Sequence, residues 1–179
     1  MIQIFIVLAT IIFVILGIYA YYGGFSKTNI KQETVGGETI VYKEVLGNYK
    51  QTMDASNEVY DYLLHDLKIE TYKGIGVFYD NPREVSEDKL RSEVGCIIES
   101  KDIALLNESE CKYKIKTLAV KPSITTELTF KGKLSIFIGF LKIYPAIEAY
   151  IKKHELSNDG PLIEIYDTPK QKTIYQKIL

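Results

Sequence analysis

Tryptophan is absent from the 179 residues, and there are only two cysteines, two histidines, two methionines and five prolines. Two cysteines, Cys96 and Cys111, exclude a disulfide framework, and His65 and His154 with them supply too few ligands for a structural zinc site. An excess of charge of either sign is missing as well: 22 Lys and Arg stand against 23 Asp and Glu, a net of −1. A chain without a basic field has nothing to neutralise phosphates, so no nucleic acid is expected as partner. Low-complexity tracts are absent and 46% of residues are apolar, which excludes a disordered chain. What the sequence has in quantity is tyrosine, 14 of them.

Residues 2–22 carry no charge, and their polar side chains are Gln3, Thr10 and the tyrosines. About twenty residues at ~1.5 Å each span the ~30 Å hydrocarbon core of a bilayer. Tyr19, Tyr21 and Tyr22 gather at one end, where aromatic rings favour the membrane–water interface. A cleaved signal peptide would carry a basic leader, a shorter apolar stretch and a small-x-small cleavage site. Residues 1–22 are therefore expected to be an uncleaved membrane anchor. Lys27 and Lys31 follow it, which by the positive-inside rule orients the C-terminal domain to the cytosol. Asn107-Glu108-Ser109 is a glycosylation sequon that would count only in a lumen.

Gly23-Gly24-Phe25-Ser26 opens a linker, residues 23–32, ahead of a domain at 33–179. Residues 34–46 are rich in β-branched side chains and interrupted by Gly36-Gly37, the pattern of a bent strand. Asn48 is placed to cap a helix, with Gln51 at capping-box spacing, and Tyr49, Met53, Ser56, Tyr60, Leu63 and Leu67 share a face. Strand alternation follows at 71–80, at 92–98 with Cys96 in the core set, at 113–118, and at 123–130 beyond Pro122. Residues 133–155 return to helical spacing, with Ile136, Phe140, Ile143, Ile147 and Ile151 on one side and Pro145 as a kink or restart. Lys142 and Pro145 break its apolar run, so it is not read as a second span. Strands at 162–167 and 173–178 close the chain.

The order is strand–helix–strand–strand, twice. Tyr79-Asp80-Asn81-Pro82 recurs as Tyr166-Asp167-Thr168-Pro169, and a turn motif after matching elements suggests duplication. The fold expected is α+β: one antiparallel sheet, two helices on one face, and a groove between the halves.

Leu46-Gly47-Asn48-Tyr49, Gly76-Val77-Phe78-Tyr79-Asp80-Asn81-Pro82, Lys89-Leu90-Arg91, Tyr144-Pro145-Ala146 and Pro161-Leu162-Ile163-Glu164-Ile165-Tyr166 together resemble the GyrI-like domain, the effector-binding domain of AraC-type and multidrug-responsive regulators. Within that family the likeness is to membrane-anchored members that act as ER-phagy receptors. The resemblance implies a duplicated strand–helix–strand–strand fold whose groove takes hydrophobic, often cationic small molecules, with no cofactor. Some members are similar to hydrolases of cyclopropane rings. No helix-turn-helix region accompanies these residues, so a regulator role is not expected.

Glu164 is the leading site residue: alternation puts it with Leu162 and Tyr166 on one strand face, where a carboxylate among apolar and phenolic groups would attract a lipophilic cation. Tyr42, Tyr79, Tyr166 and Tyr175 are candidate groove-lining residues. Asp80, Pro82 and Arg91 match family positions and are expected to be structural, a capped turn with an ion pair. Lys112, Lys114 and Lys116 make a basic strand edge suited to discourage aggregation or face anionic lipid. The reading is of a membrane-anchored module for a hydrophobic or amphiphilic small molecule. A protein-docking adaptor at the membrane and a Glu164-dependent hydrolase of strained electrophiles are the alternatives.

Overall fold

The computed structural model describes residues 1–106 and 111–179; the sequon lies outside the described residues. Glycines explain the fold's first turn of direction. Residues 31–46 form two strands, β1 (Lys31–Val35) and β2 (Thr39–Leu46), and 114–129 form two more, β5 (Lys114–Thr117) and β6 (Lys121–Thr129). They pair as one long antiparallel ribbon bent in its middle. Val35 faces Lys121 and Thr39 faces Thr117, so the register does not slip across the bend. Gly37 N donates to Leu118 O at 2.8 Å and Leu118 N to Glu38 O at 2.9 Å. Gly36 has φ +123°, and a Cβ there would strike the Ala119 carbonyl, so both the angle and the close approach require glycine. The expected bent strand is thus a bent strand pair. The strand expected to run on from 113 past Pro122 is likewise interrupted at 118–120.

The remaining elements are α1 (Ile2–Tyr21), α2 (Thr52–His65), β3 (Lys73–Phe78), β4 (Arg91–Ile98), α3 (Lys133–Lys153), β7 (Leu162–Asp167) and β8 (Lys172–Ile178). All strands are antiparallel, in the order β1-β6-β8-β7-β3-β4-β2-β5. Outward from the central β3–β7 pairing, one side reads β3, β4, β2 and the other β7, β8, β6.

One face of the sheet carries both helices. α2 buries Ala55, Val59 and Leu63 over Val41, Cys96 and Ile98. The buried stripe is turned from the expected one: Met53 is exposed and Tyr60 half-buried, because α2 comes close to β4 at Gly95, whose carbonyl accepts from Ser56 Oγ at 3.4 Å, and small side chains fit that contact. Asn48 caps as expected, accepting from Lys50 N at 2.9 Å, but a 3-10 turn at Tyr49–Gln51 precedes the helix. α3 buries Ile138, Ile143, Ile147 and Ile151 against Ile124, Leu128 and Tyr175, and it continues through Pro145 as one helix without a restart. The opposite face folds over its own core of Ile40, Tyr42, Ile75, Val77, Ile97, Ile163 and Ile165, with Val35 and Leu118 of the bend packed against it.

α1 and α3 are both long and apolar enough to cross a bilayer, with mean hydropathy 2.7 and 1.5. They differ in commitment: α1 buries none of its residues, whereas α3 gives one side to the sheet. After α1, residues 23–30 lie against the domain; Lys142 Nζ donates to Gly23 O at 2.6 Å and to Ser26 O at 2.5 Å, and Ile30 packs on the α3 core.

Candidate functional site

Between α2 and α3 the sheet is floored by β3 and β7, in register Gly76 to Glu164 and Gly74 to Tyr166. β8 sets Tyr175 opposite Glu164 on the other side. Gly74 leaves the space beside the Tyr166 ring, while the Phe78 ring of the same strand lies over Gly76. Glu164 is 4% exposed. Its Oε1 accepts from the Tyr144 hydroxyl at 2.8 Å and its Oε2 from the Tyr166 hydroxyl. Among the described residues no Lys, Arg or His pairs with it.

Burial pushes the Glu164 carboxyl above the ordinary carboxylate range, and the two phenol donors pull it back only in part. Burial and the neighbouring carboxylate both hold the Tyr144 and Tyr166 phenols far above their usual value, so each stays a neutral donor. Burial raises Tyr175 too. A carboxylate desolvated without a countercharge is costly, and two neutral donors offset part of that cost.

Tyr144 has a second role. It is a wall of a cavity of about 250 Å³. Tyr49, Phe78, Ile147, Asn158, Gly160 and the carboxylates Glu84 and Glu148 also line the cavity. Glu164 does not itself line the cavity; it sits behind the Tyr144 ring. Lys177 at one side donates to the carbonyls of Asn158, at 2.9 Å, and Gly160, and burial lowers its ammonium pKa.

Of the predicted site residues, Glu164, Tyr166 and Tyr175 come together on the helix-covered face. Tyr42 and Tyr79 do not join them. Tyr42 belongs to the core of the other face, with Lys116 Nζ 4.7 Å from its ring centroid. Tyr79 borders the cavity, but its hydroxyl turns away to Glu93 Oε2 at 2.8 Å. The cause is parity: Tyr79 follows Val77 on the face opposite to Gly76, so it cannot share a face with Glu164. Asp80 Oδ1 and Oδ2 take the Arg91 guanidinium at 2.8 and 3.0 Å and Oδ2 also accepts from Arg91 N at 2.7 Å, holding the turn that carries Pro82 to the cavity. Arg91 keeps the Asp80 carboxyl below the usual carboxylate range. Lys114 and Lys116 lie on the edge strand β5, and each is paired, Lys114 with Glu44 at 2.7 Å and Lys116 with Glu93, because β2 and β4 bring carboxylates alongside. Tyr144 is the residue that sequence reasoning missed as a site residue. It follows Phe140 by four and precedes Ile147 by three, a flank that points from the core side toward the groove.

No family model matches the chain. Over 101 residues, 52% of this chain, it is 34% identical to testis-expressed protein 264 of Homo sapiens, of which the match covers 32%. It is 30% identical over 140 residues to the homolog of that protein in Mus musculus, covering 74% of this chain and 42% of that protein. The chain spans less than half the length of these curated relatives. Among solved structures, the EcmrR C-terminal domain matches 84% of this chain and 96% of its own, with TM-score 0.57 and 8% identity. SAV2435 bound to tetraphenylphosphonium matches with TM-score 0.52 and 15% identity over 85% and 93% of the two chains. EcmrR in its DNA complex gives TM-score 0.60 at 10% identity, over 99% of this chain and 68% of that one. The likeness is one of fold, the GyrI-like, effector-binding fold.

Proposed function

We propose that this chain is a membrane-anchored GyrI-like module that binds a hydrophobic or amphiphilic cation between α2 and α3, with Glu164 as its countercharge. The observation that supports this is the Glu164 carboxylate, buried without a paired cation among the described residues and hydrogen-bonded to Tyr144, a residue that lines an adjacent cavity. The cavity is at the small end of ligand pockets, so Tyr144 turns aside to admit the ligand. Phe78 and Tyr49 then offer ring faces to the cation, and Glu84 and Glu148 draw it in. That SAV2435, of similar fold, holds tetraphenylphosphonium makes this compound the natural probe.

The division of the chain is proposed as residues 1–22 anchor, 23–32 linker and 33–179 domain, with the domain facing the cytosol. The domain is read as two strand–helix–strand–strand repeats. The matched strand orders support the repeat; the Tyr-Asp-x-Pro motif does not, since its two tyrosines stand on opposite sheet faces.

Titration calorimetry of tetraphenylphosphonium into the full chain in nanodiscs, corrected with empty nanodiscs, tests the binding reading. Binding weakened by at least about tenfold in Glu164→Gln supports it. Equal affinity in the two proteins removes Glu164 from the site. The hydrolase reading uses the same carboxylate, as a base, and differs in outcome: Glu164→Gln would then abolish turnover of a strained electrophile and spare binding.

A further inference from the structure

α2 and α3 occupy matching places on the sheet, but their outer surfaces differ in kind. α2 turns Asp54, Glu58 and Asp61 to solvent. The first half of α3 turns out Leu134, Phe137 and Leu141, which are 38, 55 and 49% exposed. Their spacing of three and four makes one continuous exposed stripe, while Ser135 and Ile138 of the same turns are buried.

The end of α1 fixes where that stripe lies. Lys131 Nζ, just before α3, donates to the Tyr21 carbonyl at 2.7 Å and sits 3.9 Å from the Tyr21 ring centroid. Lys142, within α3, holds the Gly23 carbonyl and both oxygens of Ser26. Leu134, Phe137 and Leu141 are therefore bracketed by two lysines that grip the last residue of α1 and the turn following it. Tyr21 and Phe25, at 62 and 66% exposed, add aromatic rings at the same level. Long cationic side chains reaching back to an aromatic belt, beside an apolar stripe, form the pattern of a helix lying in a membrane interface.

We propose that the stripe of Leu134, Phe137 and Leu141 lies in the headgroup–acyl boundary of the bilayer that α1 spans, so that the domain is seated on lipid by α3 and not merely tethered to it. The proposal rests on reading α1 as a membrane span. Seating puts the α3 wall of the cavity, which begins at Tyr144, about one turn beyond the lipid-facing stripe.

The lack of tryptophan makes the test direct, since every introduced indole is the sole one. Full chains carrying Phe137→Trp, Leu141→Trp, Phe13→Trp in α1 or Asn57→Trp on the outer side of α2 are reconstituted into phosphatidylcholine vesicles with and without acyl-brominated lipid. Indoles at 137 and 141 are expected to be blue-shifted and quenched about twofold, as fits a depth of ~5–10 Å. The indole at 13 is expected to be quenched too, and the one at 57 not. Quenching at 13 with 137 and 141 behaving like 57 overturns the seating and leaves the anchor standing. Absence of quenching at 13 overturns the anchor reading itself. A blue shift at 137 and 141 without quenching means that protein, such as a second copy, covers the stripe, and this too overturns the proposal.

Discussion

The α2 and α3 sides of the sheet solve the same packing problem with different materials. Under α2 the packed core is apolar, Val59 and Leu63 on Val41, Cys96 and Ile98, with no buried acid among the described residues, and water takes the outer face. Under α3 the sheet presents a buried acid, and the helix answers with a phenol, while part of its outer face stays apolar. A helix that only covers a sheet needs one apolar side. A helix with polar work on its inner side and apolar residues on its outer side does more than cover a sheet, and the α3 side is accordingly where function is sought.

The largest expected effect sharpens the comparison at its closest contacts. A Cβ at Gly95 in β4 would meet the Val41 carbonyl and the Tyr42 Cα of the paired strand β2, which are backbone and cannot yield. At Gly139, in α3, it would meet only the Tyr175 hydroxyl end. Gly95→Ala is expected to cost about 3 kcal/mol or more and Gly139→Ala about 1–2, measured by urea unfolding. Equal costs would mean that Tyr175 beneath α3 yields no more than strand backbone does.

Tyr144→Phe comes next. It removes a donor to a buried carboxylate and should cost about 1.5–3 kcal/mol, whereas Tyr62→Phe on α2, far from any buried acid, should cost less than about 1. A similar cost at both positions would break the contrast between an apolar and a polar side.

The pH dependence follows in size. The folded-state pKa of Glu164 is raised by burial, so the folded protein binds its proton more tightly than the unfolded chain does. Its contribution to stability is in full force below the unfolded carboxylate value and is lost as pH rises through the raised folded one. Unfolding midpoints across that window should fall in the wild type and stay flat at this site in Glu164→Gln, which overtakes the wild type at the upper end. Binding of a cation should strengthen over the same window and release protons, read as a dependence of calorimetric enthalpy on buffer. The smallest effect is on the outer surfaces: Leu141→Gln should change stability by no more than about 0.5 kcal/mol, as should Asp61→Gln on α2.

Local pattern sufficed for much of this. The strands at 162–167 and 173–178, Cys96 as a core residue and the placement of Glu164 with Tyr166 all follow from alternation, which is a property of neighbours in sequence. What escaped depends on which strands meet. Nothing within residues 71–80 tells that Gly76, and not Val77, shares the Glu164 face; the β3–β7 register does. Lys114 and Lys116 look like a free basic edge until β2 and β4 supply Glu44 and Glu93. Tyr144 lies on the flank of a helix whose expected core side holds at Ile143, Ile147 and Ile151 but not at Phe140, which is exposed while Ile138 is buried. Only the neighbouring carboxylate gives Tyr144 meaning.

The bent ribbon also sets a clock on synthesis. Thr39 meets Thr117 across it, 78 residues later in the chain, and Glu33 meets Thr125, 92 residues later. At ~5–20 residues per second, the first strand of the ribbon emerges about 4 to 18 s before its partner exists. For that interval β1, just beyond α1, has no partner strand, although β2 already has β4 on its other edge, so the nascent β1 depends on whatever surface lies nearest.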